Sequence, residues 1–126
     1  MSHFTTIQTQ IRDIAALRAA CQEMGFAVEA RADARGYGSN KLKGDLVIRL
    51  KGPYDIAVSQ QQDGTFGLTC DWYQGHVERE VGQHYGRLLQ LYAVYKAQAE
   101  ARRKGFTTRR QTLGDGSIKL VIGGVA

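Results

Sequence analysis

Between Asp45 and Trp72 the chain runs through three short alternating segments separated by two turn signals, Gly52-Pro53 and Asp63-Gly64. An Asp-Gly pair between alternating runs marks a tight hairpin, because the glycine supplies the positive φ that the turn demands. The strands are expected over Asp45 to Leu50, Tyr54 to Gln60 and Phe66 to Trp72. Along a strand successive side chains point to opposite faces. Tyr54, Ile56 and Val58 therefore share a face, as do Phe66, Leu68, Cys70 and Trp72. An antiparallel meander with one buried side follows, and that side has to be covered by something else in the chain.

Two amphipathic helices can supply the cover. Phe4 to Ile11 reads as an opening strand, after which Asp13 offers an N-cap and Ile14, Leu17, Cys21 and Met24 recur at helical spacing, with Gly25 as the C-cap. Phe26 to Ala30 resumes as a strand. From about Val77 to Lys104, the residues Val81, Tyr85, Leu88, Tyr92, Tyr95 and Ala99 recur at intervals of four and three, predicting one long helix that Gly105 ends. Gly82 and Gly86 fall on one face of it, and each costs a helix interior about 1 kcal/mol relative to alanine. Their presence suggests a close backbone approach, to the sheet or to a partner helix. Phe106 to Thr112 and Ser117 to Ile122 form a last hairpin around Gly114-Asp115-Gly116, with Ile118, Leu120 and Ile122 facing inward. The order β-α-β-β-β-β-α-β-β describes a single α+β domain over residues 1–126: one layer of antiparallel sheet with two helices packed on one face.

The 126 residues suffice to bury one core without metal or disulfide help. Hydrophobic residues make up 43% and charged residues 23%, with a single proline, which argues against wholesale disorder. No apolar run approaches the ~20 residues of a membrane span, and the opening stretch lacks the basic and apolar regions of a signal peptide. A cytoplasmic or equivalent compartment is expected, with no membrane partner. Cys21 and Cys70 are the only cysteines. Without CxxC spacing they read as reduced core residues.

Charge is distributed unevenly. Residues 1–95 hold ten Lys/Arg and ten Asp/Glu, whereas residues 96–126 hold seven cations (Lys96, Arg102, Arg103, Lys104, Arg109, Arg110 and Lys119) against Glu100 and Asp115. The net charge of +5 therefore resides in the last quarter. It reads either as a contact surface for an anionic partner or as a solvated helix end whose cations complement the helix dipole. A second basic stretch, residues 32–44, "ADARGYGSNKLKG", reads as a mobile loop carrying Arg35, Tyr37, Lys41 and Lys43. It lacks the spacing of a phosphate-binding glycine loop, but a basic loop with one aromatic could clamp a nucleic-acid backbone. Tyr73, next to Trp72, is the other aromatic expected to be exposed.

The stretch "CDWYQGHVEREVGQH", Cys70 to His84, gathers a thiol, two imidazoles and three carboxylates. On one continuous helix His76 and His84 would stand about 12 Å apart along the axis, too far to share a zinc ion, and the HExxH spacing is absent. Cys70 belongs to the buried strand face, where apolar surroundings raise a thiol's pKa. Glu78 fits the first turn of a helix capped at Gly75. A strand-to-helix junction is the favoured reading, with a metal-dependent or hydrolytic centre on Cys70, His76, Glu80 and His84 as the weakest alternative. His3 carries no partner signal. No catalytic residue, metal ligand or cofactor site is assigned.

Three segments, "MSHFTTIQTQIRDIAALRAACQEMGF", "GDLVIRLKGPYDIAVSQQQDGTFGLTCDWY" and "GFTTRRQTLGDGSIKLVIGG", cover well over half of the chain. Together they resemble the small cyanobacterial and plastid-encoded family known as conserved chloroplast reading frame thirty-five, a domain of unknown function. The resemblance implies a small protein without an assigned catalytic motif, acting as a subunit or adaptor beside an AAA-type ATPase. The leading expectation is a non-enzymatic adaptor that binds a protein partner through its basic last quarter and the 32–44 segment. The alternative is a nucleic-acid-binding module using the same cations.

Overall fold

The computed structural model describes residues 4–125, so His3 lies outside the described residues. The strands β1 (Phe4–Ile7), β2 (Ala27–Arg35), β3 (Lys41–Arg49), β4 (Ile56–Gln60) and β5 (Phe66–Asp71) form an antiparallel sheet in the order β1-β5-β4-β3-β2. Helix α1 (Ile14–Glu23) follows β1, helices α2 (His76–Val81) and α3 (Gly86–Arg103) follow β5, and β6 (Phe106–Thr112) with β7 (Ile118–Val125) forms a separate two-stranded sheet. The α+β class and the element order are those expected from the sequence. The last two strands, however, stand apart from the main sheet.

Leu46 pairs with Val58, which pairs with Leu68; Ile48 pairs with Ile56. These residues occupy the helix-facing side and are buried with Leu17, Cys21, Leu88 and Tyr92. Asp13 caps α1 by accepting from the Ala16 amide at 3.0 Å. At the other end the Gly25 amide donates to the Gln22 carbonyl and the Phe26 amide to that of Cys21. Gly25 has φ +83°, which allows that reversal without a Cβ clash. The Tyr92 hydroxyl accepts from the amides of Arg12 and Asp13, fixing the start of α1 against α3.

The expected loop at 32–44 is mostly strand. Residues 32–35 pair with residues 41–44, leaving only the five residues 36–40 as a turn. The glycines and charges that resembled a loop belong to a ribbon that bends. Gly44 sits at the bend, where a Cβ would come within 2.6 Å of the Leu46 carbonyl and 3.1 Å of the Ala57 Cβ. Beside its partner Ala32, Arg31 has φ +51°. Beyond the bend the ribbon returns across the sheet. The Asp55 amide donates to the Arg35 carbonyl, the Tyr37 amide donates to Asp71 Oδ2 at 3.0 Å, and Gly36 lies so close to the Phe4 ring that a Cβ would meet it at 2.7 Å. The tip of β2–β3 thus reaches strands β1 and β5 at the far side of the sheet.

Consequently both sheet faces are covered, not one. Ala34, Val47 and Ala57 are fully buried in a second, smaller cluster, in which small side chains let the ribbon lie close.

The single long helix expected from Val77 to Lys104 is two helices. Gly82 adopts φ +85° and ψ 169°, and His84 and Tyr85 take left-handed conformations before α3 begins. The close approach inferred for the glycines is within the chain. A Cβ on Gly82 would come within 3.0 Å of the Arg87 amide nitrogen, whereas Gly86 has nothing within 4 Å. The apolar period survives the break, because Val81, Tyr85, Leu88 and Tyr92 are all buried.

Candidate protein-interaction surface

Site residues expected from the sequence fall into two separate groups. Arg35, Tyr37, Lys41 and Lys43 belong to the ribbon, whereas Lys96, Arg102 and Arg103 belong to α3, Lys104 to its C-cap, and Arg109 and Arg110 to β6. No hydrogen bond joins the ribbon to the β6–β7 hairpin among the described residues.

The ribbon group is largely engaged in holding the fold. Asp55 has a fully buried side chain. Its carboxylate accepts from Arg35 Nε at 2.7 Å, Arg35 Nη2 at 2.8 Å, Arg49 Nη1 at 2.7 Å and the Arg35 amide at 3.0 Å. Burial would raise the Asp55 pKa, but the bonds from Arg35 and Arg49 outweigh it and hold the carboxyl below its ordinary 3.8. Arg35 also donates to the Gly52 carbonyl, and Arg49 to Glu29 and the Asp33 carbonyl. Tyr37 is 46% exposed, yet its ring stands edge-on to Tyr73 with centroids 4.8 Å apart. Tyr73, expected to be exposed, is half-buried there. Lys41 and Lys43 remain exposed.

The C-terminal group is freer. Arg102, Arg103 and Lys104 at the end of α3 are exposed, as is Arg109, while Lys96 is half-buried. Arg110 is the exception. It donates to both Glu23 carboxylate oxygens at 2.9 and 3.0 Å and lies 5.3 Å from the centre of the Tyr95 ring. Tyr95 also donates to Glu23; that bond and Arg110 hold the carboxyl below its usual 4.5 despite the opposing effect of burial. Arg110 therefore clamps the hairpin to α1 and α3.

Register then assigns the hairpin's two faces. Arg110 pairs with Leu120 and Thr112 with Ile118, so these residues face α3. Arg109 pairs with Val121 and Gln111 with Lys119 on the outward face. Ile118 packs against the core, as expected, and Leu120 is half-buried, but Ile122 is 53% exposed. The register keeps it on the same face as Ile118 and Leu120, as expected, but that face is left uncovered at the open end of the hairpin. Phe106 and Leu113 are exposed as well, at 37% and 41%. The β6–β7 hairpin itself was legible, but its separation from the main sheet was not.

The Cys70-to-His84 stretch is a strand-to-helix junction. Burial pushes the Cys70 thiol up to about 12, partly offset by the adjacent Tyr85 hydroxyl, and burial does the same to Cys21, also to about 12. Glu80 accepts from the amides of Lys51 and Gly52 at 2.7 and 2.9 Å, bracing the β3–β4 turn. The His76 ring packs edge-on against Tyr54, with Arg79 3.1 Å from its Nδ1. His84 is exposed beyond the helix break. Glu78 lies in the first turn of α2, whose N-cap is Gly75. Among the described residues no three His, Cys, Asp or Glu are grouped so as to hold a metal ion. No described helix is long and apolar enough to cross a membrane.

Residues 20–121 match a family described as "Protein of unknown function (DUF1257)". Over 124 residues, 97% of this chain and 96% of the relative, the sequence is 30% identical to "Uncharacterized protein ycf35" of Pyropia yezoensis. No solved structure matches. With most of its length matched by the profile and nearly all of it aligned to that relative, the chain belongs to the DUF1257 family, as its resemblance to the plastid reading frame implied.

Proposed function

We propose that this protein is a non-enzymatic adaptor that binds a protein partner through the end of α3 and the β6–β7 hairpin. The observation that carries the proposal is the coincidence, at the end of α3 and on the β6–β7 hairpin, of exposed cations with exposed Phe106, Leu113 and Ile122. Protein interfaces combine an apolar centre with a polar rim, whereas a surface that only tracks phosphates has no need of exposed Ile or Phe. Two buried thiols suit a reducing, cytoplasmic compartment. An AAA-type ATPase is the partner class that the family resemblance puts forward.

The combined substitution Arg102→Glu, Arg103→Glu and Arg109→Glu should abolish partner capture by the tagged chain from its host extract, in samples treated with nuclease. Circular dichroism and melting temperature should hardly change. Arg110 is left intact because reversing it would break the clamp on Glu23. Undiminished capture would refute the proposed surface.

A nucleic-acid reading has one observation in its favour. The outward face of the two-stranded ribbon presents Arg109, Gln111 and Lys119, and a two-stranded ribbon fits the major groove of a duplex. It requires affinity for RNA or DNA that falls steeply with salt as phosphate counterions are released. Salt-insensitive or undetectable binding removes it.

A further inference from the structure

Four strands end a sheet among the described residues, and β7 is the least protected of them against pairing with another chain. Strand β1 is described over four residues, Phe4–Ile7. Strand β2 carries Glu29, Arg31, Asp33 and Arg35 at alternate positions and kinks at Arg31. Strand β6 carries the adjacent cations Arg109 and Arg110. Short length, charge and local kinks are the usual devices that blunt an open edge.

From Ile118 to Ile122 strand β7 is neither short nor kinked, and its one charge is Lys119. Its sequence there is Ile-Lys-Leu-Val-Ile, its ladder with β6 is regular, and the extra residue that shifts the register falls later, at Gly123–Gly124. None of these five residues is buried, although four are apolar. Their outer backbone groups have no strand partner among the described residues.

We infer that the outer edge of β7, Ile118 to Ile122, pairs with an extended acidic segment of the partner, which adds to the hairpin as a third strand. This inference rests on the adaptor reading and names the chemistry of its partner. Strand addition takes affinity from main-chain hydrogen bonds and specificity from alternate side chains. On the outward face the added strand would run beside Lys119 and Val121, with Arg109 one strand further. On the inward face it would run beside Ile118, Leu120 and Ile122. The complementary segment therefore alternates Asp or Glu with Val, Ile or Thr. A second copy of this chain is disfavoured as the occupant, because residues 96–126 carry seven cations against two anions and would face a like-charged copy.

The test is selection of random dodecapeptides displayed on phage against the immobilised full-length chain. Alternating acidic and β-branched peptides should be enriched. N-methylation of alternate amides in a selected peptide should weaken binding by about tenfold or more, the loss expected from even one main-chain hydrogen bond of about 1.4 kcal/mol. Lys119→Glu, on the outward face and free of packing duties, should do the same. The Ile118–Ile122 amides should gain hydrogen-exchange protection when the peptide binds.

Selection of nothing, of peptides without alternation, or of peptides indifferent to N-methylation overturns the inference. So does sedimentation of the chain alone as a dimer whose Ile118–Ile122 amides are protected, or selective capture of a DNA duplex at this edge. If edge peptides fail while the triple charge reversal still abolishes native capture, the adaptor reading survives and the edge does not. If edge peptides bind while native capture ignores the charge reversal, the proposed adaptor surface is the part that fails.

Discussion

Asp55 is the residue on which the ribbon's return depends. Its buried carboxylate accepts from Arg35 on β2, from Arg49 on β3 and from the Leu50 amide where the turn between β3 and β4 begins. Asp55→Asn should cost about 3 kcal/mol in a denaturant titration, because two guanidinium groups lose their shared counter-charge in a site partly screened from water. The carboxyl is more acidic in the folded than in the unfolded chain, so its stabilisation is complete above the ordinary 3.8 and is lost as pH falls below that toward the folded value. Over that range the Asp55→Asn variant should lose less stability than the wild-type chain, the remaining loss coming from carboxyls such as Glu23. None of this was legible beforehand. Arg35 looked like a free cation because the sequence places its partner twenty residues away, and only the bend at Gly44 brings the two together.

Local punctuation was the most legible layer of the elements. Asp13 and Gly25 delimited α1, and Asp63-Gly64 and Gly114-Asp115-Gly116 fixed two turns, because each is a short-range constraint satisfied within a few residues. The break between α2 and α3 was hidden for a physical reason: Val81, Tyr85, Leu88 and Tyr92 keep a helical period across a segment that is not helical. The glycines contained the missing signal, and they should separate under substitution. Gly82→Ala forces an L-residue into φ +85° against the Arg87 amide and should lose about 1–3 kcal/mol. Gly86→Ala, at φ −55° and ψ −44° with open space around it, should gain about 0.5–1 kcal/mol. Thermal unfolding of both variants checks the pair; equal effects would mean that the chain forms one continuous helix.

At the scale of the molecule, the sheet and its helices form one body to which the hairpin is attached. The main core spans α1, α2, α3 and the five-stranded sheet, and among the described apolar residues of the hairpin only Ile118 packs against it. A chain ending after Lys104 should therefore unfold cooperatively at a reduced melting temperature, having lost the Arg110–Glu23 clamp, and should capture no partner. Loss of cooperative unfolding would show the hairpin to be integral to the core. The sequence revealed the charge asymmetry and the hairpin separately. What it could not reveal was that Arg110 turns inward to Glu23 while Arg109 does not, since alternation fixes relative faces and not which one meets a helix.

The return of the ribbon across the sheet also bears on the order in which the molecule can assemble. Hairpins β2–β3 and β4–β5 each close over short lengths of chain, but the bond from the Tyr37 amide to Asp71 closes a loop of 34 positions and needs both hairpins in place. Closure entropy places such a contact after the local ones. The layer of Ala34, Val47 and Ala57 is then sealed from water only once both hairpins have formed and the ribbon has folded back over them.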